Sequence, residues 1–563
     1  MQGQAKDVSP FGRVVGRSSE FKRIADLPRR SAYIDYAQEL TALLKTPNGK
    51  QTLRQQQAWA LMEIMECQGL LGGLEVGAGK TLITYLAPRV LGVKNALLVV
   101  PASLVKKTQR EFLLLRQHWG DSQIEVISYE KLSQAKQADW LDKKNSRLLM
   151  FDEAHKLKNK KAGVTRRVIR YCERFEDLII IVLTGTLTKE SLRDYAHLSS
   201  LALKDGSPLP IRYQDLQDWA DCLDEGIEDS MRPKPGALLE FCLEGENARQ
   251  GFRRRLIETP GVVMTPAPAV KVPLTITERK TVVPEAVIKA VENFRRTWHL
   301  PQGEVAATGL AFSRHMKSLL QGFYNRWNWR EKPPDLEWME AKKNWKKFVR
   351  RTIAKSGSSC VANMIFDTEL QVARACKREQ IHYEDYPDNE FEEDPYLAWT
   401  AIKRRSDPVP EAVWASEYMV DYAMNWLASD PRPGIVWTSD NPMMGRLRER
   451  GAICYGAGQN QIDIETNSCV ASIGAHGTGK NLQVFERALY LAVPKSGTTW
   501  EQSLGRSHRP GTKALVVTVD VVLSCLETWT SFDEARKRAQ YIEDTTGQKQ
   551  KLNIAAIDVT SAK

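Results

Sequence analysis

Two short loops in this sequence carry residue types that can hold a phosphate. Leu74 to Thr81 reads LEVGAGKT and Gly474 to Asn481 reads GAHGTGKN. Each misses the pattern G-x-x-x-x-G-K-[ST] at one end: the first lacks the leading glycine, the second closes on Asn instead of a hydroxyl. A phosphate cradle needs a strand, a tight glycine turn, and a helix whose free N–H groups and positive dipole end face the anion. The first loop meets those demands, with a strand to Glu75, a turn at Gly77-Ala78-Gly79, and a helix from Lys80 to about Leu91. Lys80 would reach the β and γ phosphates and the Thr81 hydroxyl would ligate Mg²⁺, so ATP and Mg²⁺ are the expected ligands. Asn481 cannot replace that hydroxyl, and no acidic strand end follows it.

Acidic and basic partners for such a cradle stand elsewhere in the chain. RLLMFDEAHKLKN is an apolar run ending in Asp152 and Glu153. At a strand tip, the first carboxylate can hold Mg²⁺ and the second can orient or deprotonate the attacking water. Thr184 and Thr186, after DLIIIVL, are placed to hydrogen-bond that acidic stretch and couple nucleotide state to the rest of the lobe. In TTWEQSLGRSHRPGT, Arg506 and Arg509 lie three apart, so one helical face would present both guanidiniums, with Gln502 a turn earlier. Guanidiniums delivered from a separate element stabilise charge on a transferring γ-phosphoryl. The bland alternative is a surface helix.

What must position these groups is a chain of 563 residues, too long for one core, since single cores rarely exceed ~250 to 300 residues. From Leu53 to about Leu201, apolar runs separated by helix-like text (GLLGGLEV, NALLVVP, QIEVIS, SRLLMFDE, DLIIIVLTGT) predict strands buried on both faces. The texture returns in GIVWTS, GAICYG, SCVASIG, RALYLAV and KALVVTVDVV. The expected fold class is therefore α/β, with two parallel lobes and largely helical insertions between them. The expected divisions are 1–52 as a helical extension, 53–202 as the ATP-binding lobe, 203–265 as its helical extension, 266–415 as a basic, Trp-rich protrusion broken by prolines, and 416–563 as the second lobe. No apolar run approaches the ~18 residues that span a bilayer, the start carries no secretory signal, and no membrane partner is expected. A cytoplasmic protein is expected, in host cytoplasm if viral. Nine scattered cysteines without a C-x-x-C pair, and eight histidines without ligand spacing, suggest neither a zinc module nor a disulfide framework.

The order of these strings resembles a superfamily-two helicase-like ATPase, and specifically the Swi/Snf-type DNA translocases. It runs from LRQQQ (Leu53 to Gln57) through GAGKT, VVPASLVKKTQREF, VISYEKLS, DEAHKLKN, LTGT and GTGKNL to QSLGRSHRPGT. The resemblance implies that the two lobes are RecA-like, that Gln57 reads adenine, that His155 is a coupling histidine, and that Gly477, Gly479 and Asn481 belong to a second-lobe loop contacting nucleic-acid backbone and the nucleotide cleft. It likewise implies backbone contacts at Ser103, Lys106 and Lys107, at Ser128 and Tyr129, and at Thr438 and Ser439. Leu74 stands where the family commonly has Asp, KSGTTW lacks the usual Trp-Asn-Pro, and no histone-reading module is recognisable. A compact bacterial or viral motor is expected.

Charge points the same way. The formal net charge is +11, and residues 270–360 hold 18 Lys and Arg against 8 Asp and Glu. Such a concentration suits a polyanion, although a solvated surface has the same composition. PPDLEWMEAKKNWKKFVRRTIAK predicts a helix starting near Asp335, with Trp338, Ala341, Trp345 and Phe348 on a core stripe. Lys342 and Lys346, off that stripe, are candidates to grip duplex phosphates. Trp327 and Trp329 could stack on bases or pack within the protrusion. The acidic run His382 to Tyr396 reads as a solvated loop or as a tether on the basic helix. Double-stranded DNA is the expected partner, with single-stranded DNA or RNA as alternatives and an unidentified recruiting protein besides. A strand-separating helicase and a non-processive ATP-dependent clamp fit the same strings.

Overall fold

A computed structural model describes residues 12–30, 34–134, 140–160, 162–175, 177–228, 230–265, 270–301, 306, 309–330, 332–355, 369–385 and 391–559. The first sheet holds β1 (Gly69–Gly73), β2 (Ala96–Val100), β3 (Ile124–Ser128), β4 (Leu148–Phe151), β5 (Ile179–Thr184) and β6 (Val262–Met264). Its strand order is β3-β2-β4-β5-β1-β6 and every pairing is parallel. β1, β2 and β4 are buried along their whole length, as strands covered on both faces must be. One face packs around Trp219, Phe241 and Phe252, the other around Ile83, Leu86 and Trp119.

The second sheet is also parallel throughout. It is built from β7 (Leu274–Arg279), β10 (Gly434–Thr438), β11 (Cys454–Tyr455), β12 (Cys469–Ser472), β13 (Arg487–Tyr490), β14 (Val517–Val522) and β15 (Ala556–Asp558), in the order β11-β12-β10-β13-β14-β7-β15. β7 pairs with β14 from Leu274↔Val517 to Arg279↔Val522, so the second sheet reaches back into the stretch that the sequence assigns to the protrusion. LTITER alternates apolar and polar residues and leaves no continuous apolar run to notice.

The intervening region is helical, as expected, with one departure. β8 (Phe323–Asn328) and β9 (Val409–Trp414) form an antiparallel hairpin. Pro410, read from sequence as a break, lies within β9 opposite Trp327. A two-stranded sheet gives each strand a free edge, where the missing N–H costs no ladder bond. The helix Leu336–Lys355 starts where predicted: Asp335 Oδ1 accepts from Trp338 N at 3.0 Å, and Arg405 grips the same carboxylate. Trp338, Ala341, Trp345 and Phe348 are all buried. Trp327 and Trp329 meet the Trp338 ring edge-on at 6.5 and 5.9 Å between centroids, so they pack within the protrusion. Residues 386–390 of the acidic run lie outside the described residues. Phe391, just after them, is buried against Phe348, with Lys347 Nζ 5.8 Å and Arg351 Cζ 5.9 Å from its ring centroid. Among the described residues no helix is long and apolar enough to cross a membrane.

One buried histidine makes the first lobe sensitive to acid. His197, in the helix Ala196–Leu203, donates through Nε2 to the Leu157 carbonyl at 2.8 Å, and burial pushes its imidazole down to about 4. The unfolded chain therefore binds a proton more readily than the folded one. Stability is complete above ~6.5 and declines as pH falls from there towards 4, by up to about 3 kcal/mol. Denaturant melts from pH 7 to 4.5 should show a shallower decline for His197→Gln, which keeps a donor and cannot titrate. Parallel declines would refute the assignment.

Candidate active site

The chain leaves β1 and turns at Gly77 and Gly79, with φ of +95° and +86° that only glycine adopts without strain. A Cβ at Gly79 would overlap the Gln57 amide, and one at Gly77 would come within 2.7 Å of Pro510 Cδ. The helix Lys80–Val90 follows at once, so its first N–H groups face the turn. Lys80 is buried and donates to the Leu74 and Glu75 carbonyls at 3.0 and 3.2 Å. Gln57 lies against this turn. Its Oε1 accepts from Arg54 N at 2.9 Å and its Nε2 donates to the Ala78 carbonyl at 3.3 Å, while Arg54 Nη1 donates to the Gly77 carbonyl at 3.1 Å.

Asp152 and Glu153 follow β4 directly. The Asp152 N–H donates to the Val99 carbonyl at 3.0 Å, and its Oδ1 accepts from Glu153 N at 2.9 Å. Loss of hydration, with the Glu153 charge adjacent, raises Asp152 to about 6. Burial acts to raise Glu153 as well, but the His155 ring and the cations Lys80 and Arg506 outweigh it and hold that carboxyl below its ordinary range. Glu153 sits at φ +52°, a strained conformation for a non-glycine residue. Its Oε2 is buried and hydrogen-bonds no atom among the described residues, with His155 Nδ1 3.3 Å away. An unsatisfied buried carboxylate oxygen beside a glycine turn that a Cβ would fill is what a phosphate, its metal and an attacking water require.

The expected coupling residues are brought together. His155 Nδ1 lies 3.3 Å from Thr184 Oγ1 and its Nε2 lies 3.4 Å from Gln502 Nε2. With the proton on Nδ1, Nε2 accepts from the Gln502 amide across the lobe junction. Thr184 Oγ1 donates to the Thr186 carbonyl at 2.9 Å and accepts from its N–H at 3.2 Å.

The arginines differ from the sequence reading in one respect. The helix Gly497–Ser507 carries Arg506 but ends before Arg509, because residues ahead of a proline, here Pro510, leave the α region. Both guanidiniums nevertheless converge on a single acceptor, the Lys480 carbonyl, at 3.2 and 3.3 Å. Arg506 Nε also donates to the Gln502 carbonyl at 2.8 Å. Burial lowers Arg506 to about 10, with Glu153 opposing that shift, so it is a cation at neutral pH.

The second Gly-Lys loop is thus an inter-lobe element. Lys480 Nζ is ion-paired with Asp463 at 2.9 Å, and Gly479, at φ +74°, accepts from Lys107 Nζ at 2.8 Å. Gly477 is buried nearby, whereas Asn481 is exposed.

Of the expected backbone-contact residues, Ser103, Lys106, Ser439 and Lys346 are exposed. Four others face inward, contrary to expectation. Ser128 is buried and caps the turn Tyr129–Leu132 by accepting from Lys131 N. Tyr129 is buried and donates to the Asp152 carbonyl at 2.8 Å, so it buttresses the acidic pair. Thr438 is buried and accepts from Asp440 N at 3.2 Å. Lys107 is turned onto Gly479, as above. Lys342 is half-buried, its ammonium 4.2 Å from the Trp338 centroid and 5.1 Å from that of Trp327. Sequence reading missed the Lys480 carbonyl and the Tyr129 buttress, since neither a backbone acceptor nor an inward tilt has a residue-type signal.

Residues 50–189 match the family model described as type III restriction enzyme, res subunit. That domain is a RecA-like, superfamily-two helicase-like ATPase domain, and the parallel α/β sheets agree with it. The protein is accordingly a nucleic-acid-dependent ATPase. A search of curated proteins found no match.

Proposed function

We propose that this protein is a translocase on double-stranded DNA of the Swi/Snf type, in which ATP hydrolysis opens and closes two lobes. The observation that supports it most is the junction itself. Lys80, Asp152 and Glu153 belong to the lobe of one sheet, Gln502, Arg506 and Arg509 to that of the other, and His155 meets Gln502 across the gap at 3.4 Å. In this reading the first lobe spans 53–202 with its extension to 265, and the second is completed by β7. Thr81 and Asp152 would hold Mg²⁺, which neutralises charge on the β and γ phosphates. Lys80 binds the same phosphates, Glu153 orients the water, and Arg506 with Arg509 stabilises charge developing on the γ-phosphoryl. Ser103, Lys106, Ser439 and Asn481 are exposed on both lobes and suit phosphate oxygens, which favours sequence-tolerant, salt-sensitive binding.

The test is ATPase activity with duplex DNA, single-stranded DNA and RNA in parallel, together with displacement of a third strand from a triplex. Duplex stimulation with triplex displacement is expected, and Lys80→Ala should abolish both. Release of a labelled strand from a fork would replace the reading with a strand-separating helicase. Stimulation without displacement would replace it with a clamp.

A further inference from the structure

We infer that Gln548 and Lys551 are positioning residues for ATP hydrolysis, joining the strand end at Gly185–Leu187 to the arginine helix of the other lobe. The inference rests on the nucleotide site proposed above and adds residues that lie well beyond every nucleotide-binding string. The helix Leu526–Thr546 leaves the second sheet and runs along the first lobe. Tyr541 Oη donates to Asp224 at 2.7 Å under the Arg249 guanidinium, and Arg538 pairs with Glu190 at 3.1 Å. At Gly547, φ +73°, the chain turns inward; a Cβ there would lie 2.7 Å from Ile257 Cδ1.

The next residues enter the lobe junction. Gln548 is 2% exposed. Its Oε1 accepts from Leu187 N at 3.3 Å and its Nε2 donates to the Gly185 carbonyl at 3.4 Å, so one amide holds both neighbours of Thr186. Lys551 is 1% exposed. Its N–H donates to Glu501 Oε2 at 2.6 Å and its ammonium lies 3.4 Å from His508 Nδ1. His508 Nε2 in turn donates to the Val272 carbonyl at 2.7 Å, which leaves Nδ1 as the acceptor for Lys551. Glu501 and His508 bracket Gln502 and Arg506. Ideal Cβ atoms at Gly505 would stand 3.1 Å from Val76 and 3.4 Å from Lys551 Cε, so the helix, the phosphate turn and this lysine meet at one point.

A buried amide and a buried ammonium are stable only while their partners stay in place. The segment therefore favours the lobe arrangement in which the Thr184–Thr186 hydroxyls and the guanidiniums address one nucleotide. No group in it touches the reacting atoms.

The test compares Gln548→Leu, which keeps volume and removes both hydrogen bonds, and Lys551→Met, which keeps the stem and removes the ammonium. With duplex DNA saturating, kcat should fall roughly 10-fold in each, the scale of two hydrogen bonds of modest net strength for Gln548→Leu and of one charge-assisted hydrogen bond for Lys551→Met. KM for ATP should stay within about twofold, since neither residue meets the phosphate turn by hydrogen bond. Lys551→Arg should recover most of the loss. Tyr541→Phe, which weakens the same strap away from the junction, should lower Tm without lowering kcat. Wild-type kcat in both Gln548→Leu and Lys551→Met, or a loss matched by Tyr541→Phe, would overturn the inference while leaving the nucleotide site intact. Absence of turnover in the wild type itself would instead remove the proposed function.

Discussion

Arg506→Ala is expected to lower polynucleotide-stimulated ATP turnover by ~10³ to 10⁵-fold, the range associated with a guanidinium that meets transition-state charge. The side chain is 3% exposed and fixed at two points, by the Gln502 and Lys480 carbonyls, in the field of Glu153. A pre-oriented cation needs no reorganisation when charge develops, and burial strengthens its effect. Alanine would leave the Lys480 carbonyl with Arg509 alone. Arg506→Lys should rescue little, because an ammonium cannot reproduce the planar fork that reaches two carbonyls and a phosphoryl oxygen. Single-turnover hydrolysis with bound ATP isolates the effect from binding. A rate within tenfold of wild type would mean that this junction is not where the γ-phosphoryl reacts.

Glu153→Gln is expected to bind ATP and hydrolyse it ~10² to 10⁴-fold more slowly, the usual worth of a positioned general base. The amide is isosteric and leaves the left-handed backbone as it is, so the fold should persist. The Glu153 charge helps raise Asp152 to about 6, and a neutral amide removes that contribution. Asp152 then moves back towards the ordinary carboxylate range and is more fully ionised at neutral pH, so Mg²⁺–ATP affinity should be kept or increased. Equilibrium binding of a fluorescent ATP analogue reads this directly. Loss of binding would require the two carboxylates to exchange roles.

Much of the architecture was legible because strands buried on both faces announce themselves as unbroken apolar runs. β1, β2, β4, β5 and β10 do so most plainly. β6 is three residues long, β15 is half-exposed, and β7 alternates, so none supplied that signal. The hairpin β8–β9 was hidden by tryptophans that pack as readily on helices and by a proline that only a free edge accommodates. At the site, the residue types with strong chemistry were the easiest to single out, and Lys80, Asp152, Glu153, His155, Gln502 and Arg506 lie around one junction. Hydroxyls were harder. Ser128, Tyr129 and Thr438 have the right chemistry for phosphate but point inward, and alternation along a strand end does not say which side meets solvent. Gln548 and Lys551 could not be found at all, since a glutamine and a lysine after a long helix look like ordinary surface text.

The placement of β7 has a consequence for how this architecture can vary. The stretch between Arg279 and the helix Tyr418–Ala428 leaves the sheet at β7 and returns to it ahead of β10, two strands three positions, or roughly 14 Å, apart across the sheet. That stretch is a cassette mounted on one lobe, and lengthening, trimming or exchanging it would shift neither jaw of the nucleotide cleft. The covalent route between the jaws is confined to the few residues between β6 and β7, so the grip on a track and the engine beneath it are free to be remodelled independently.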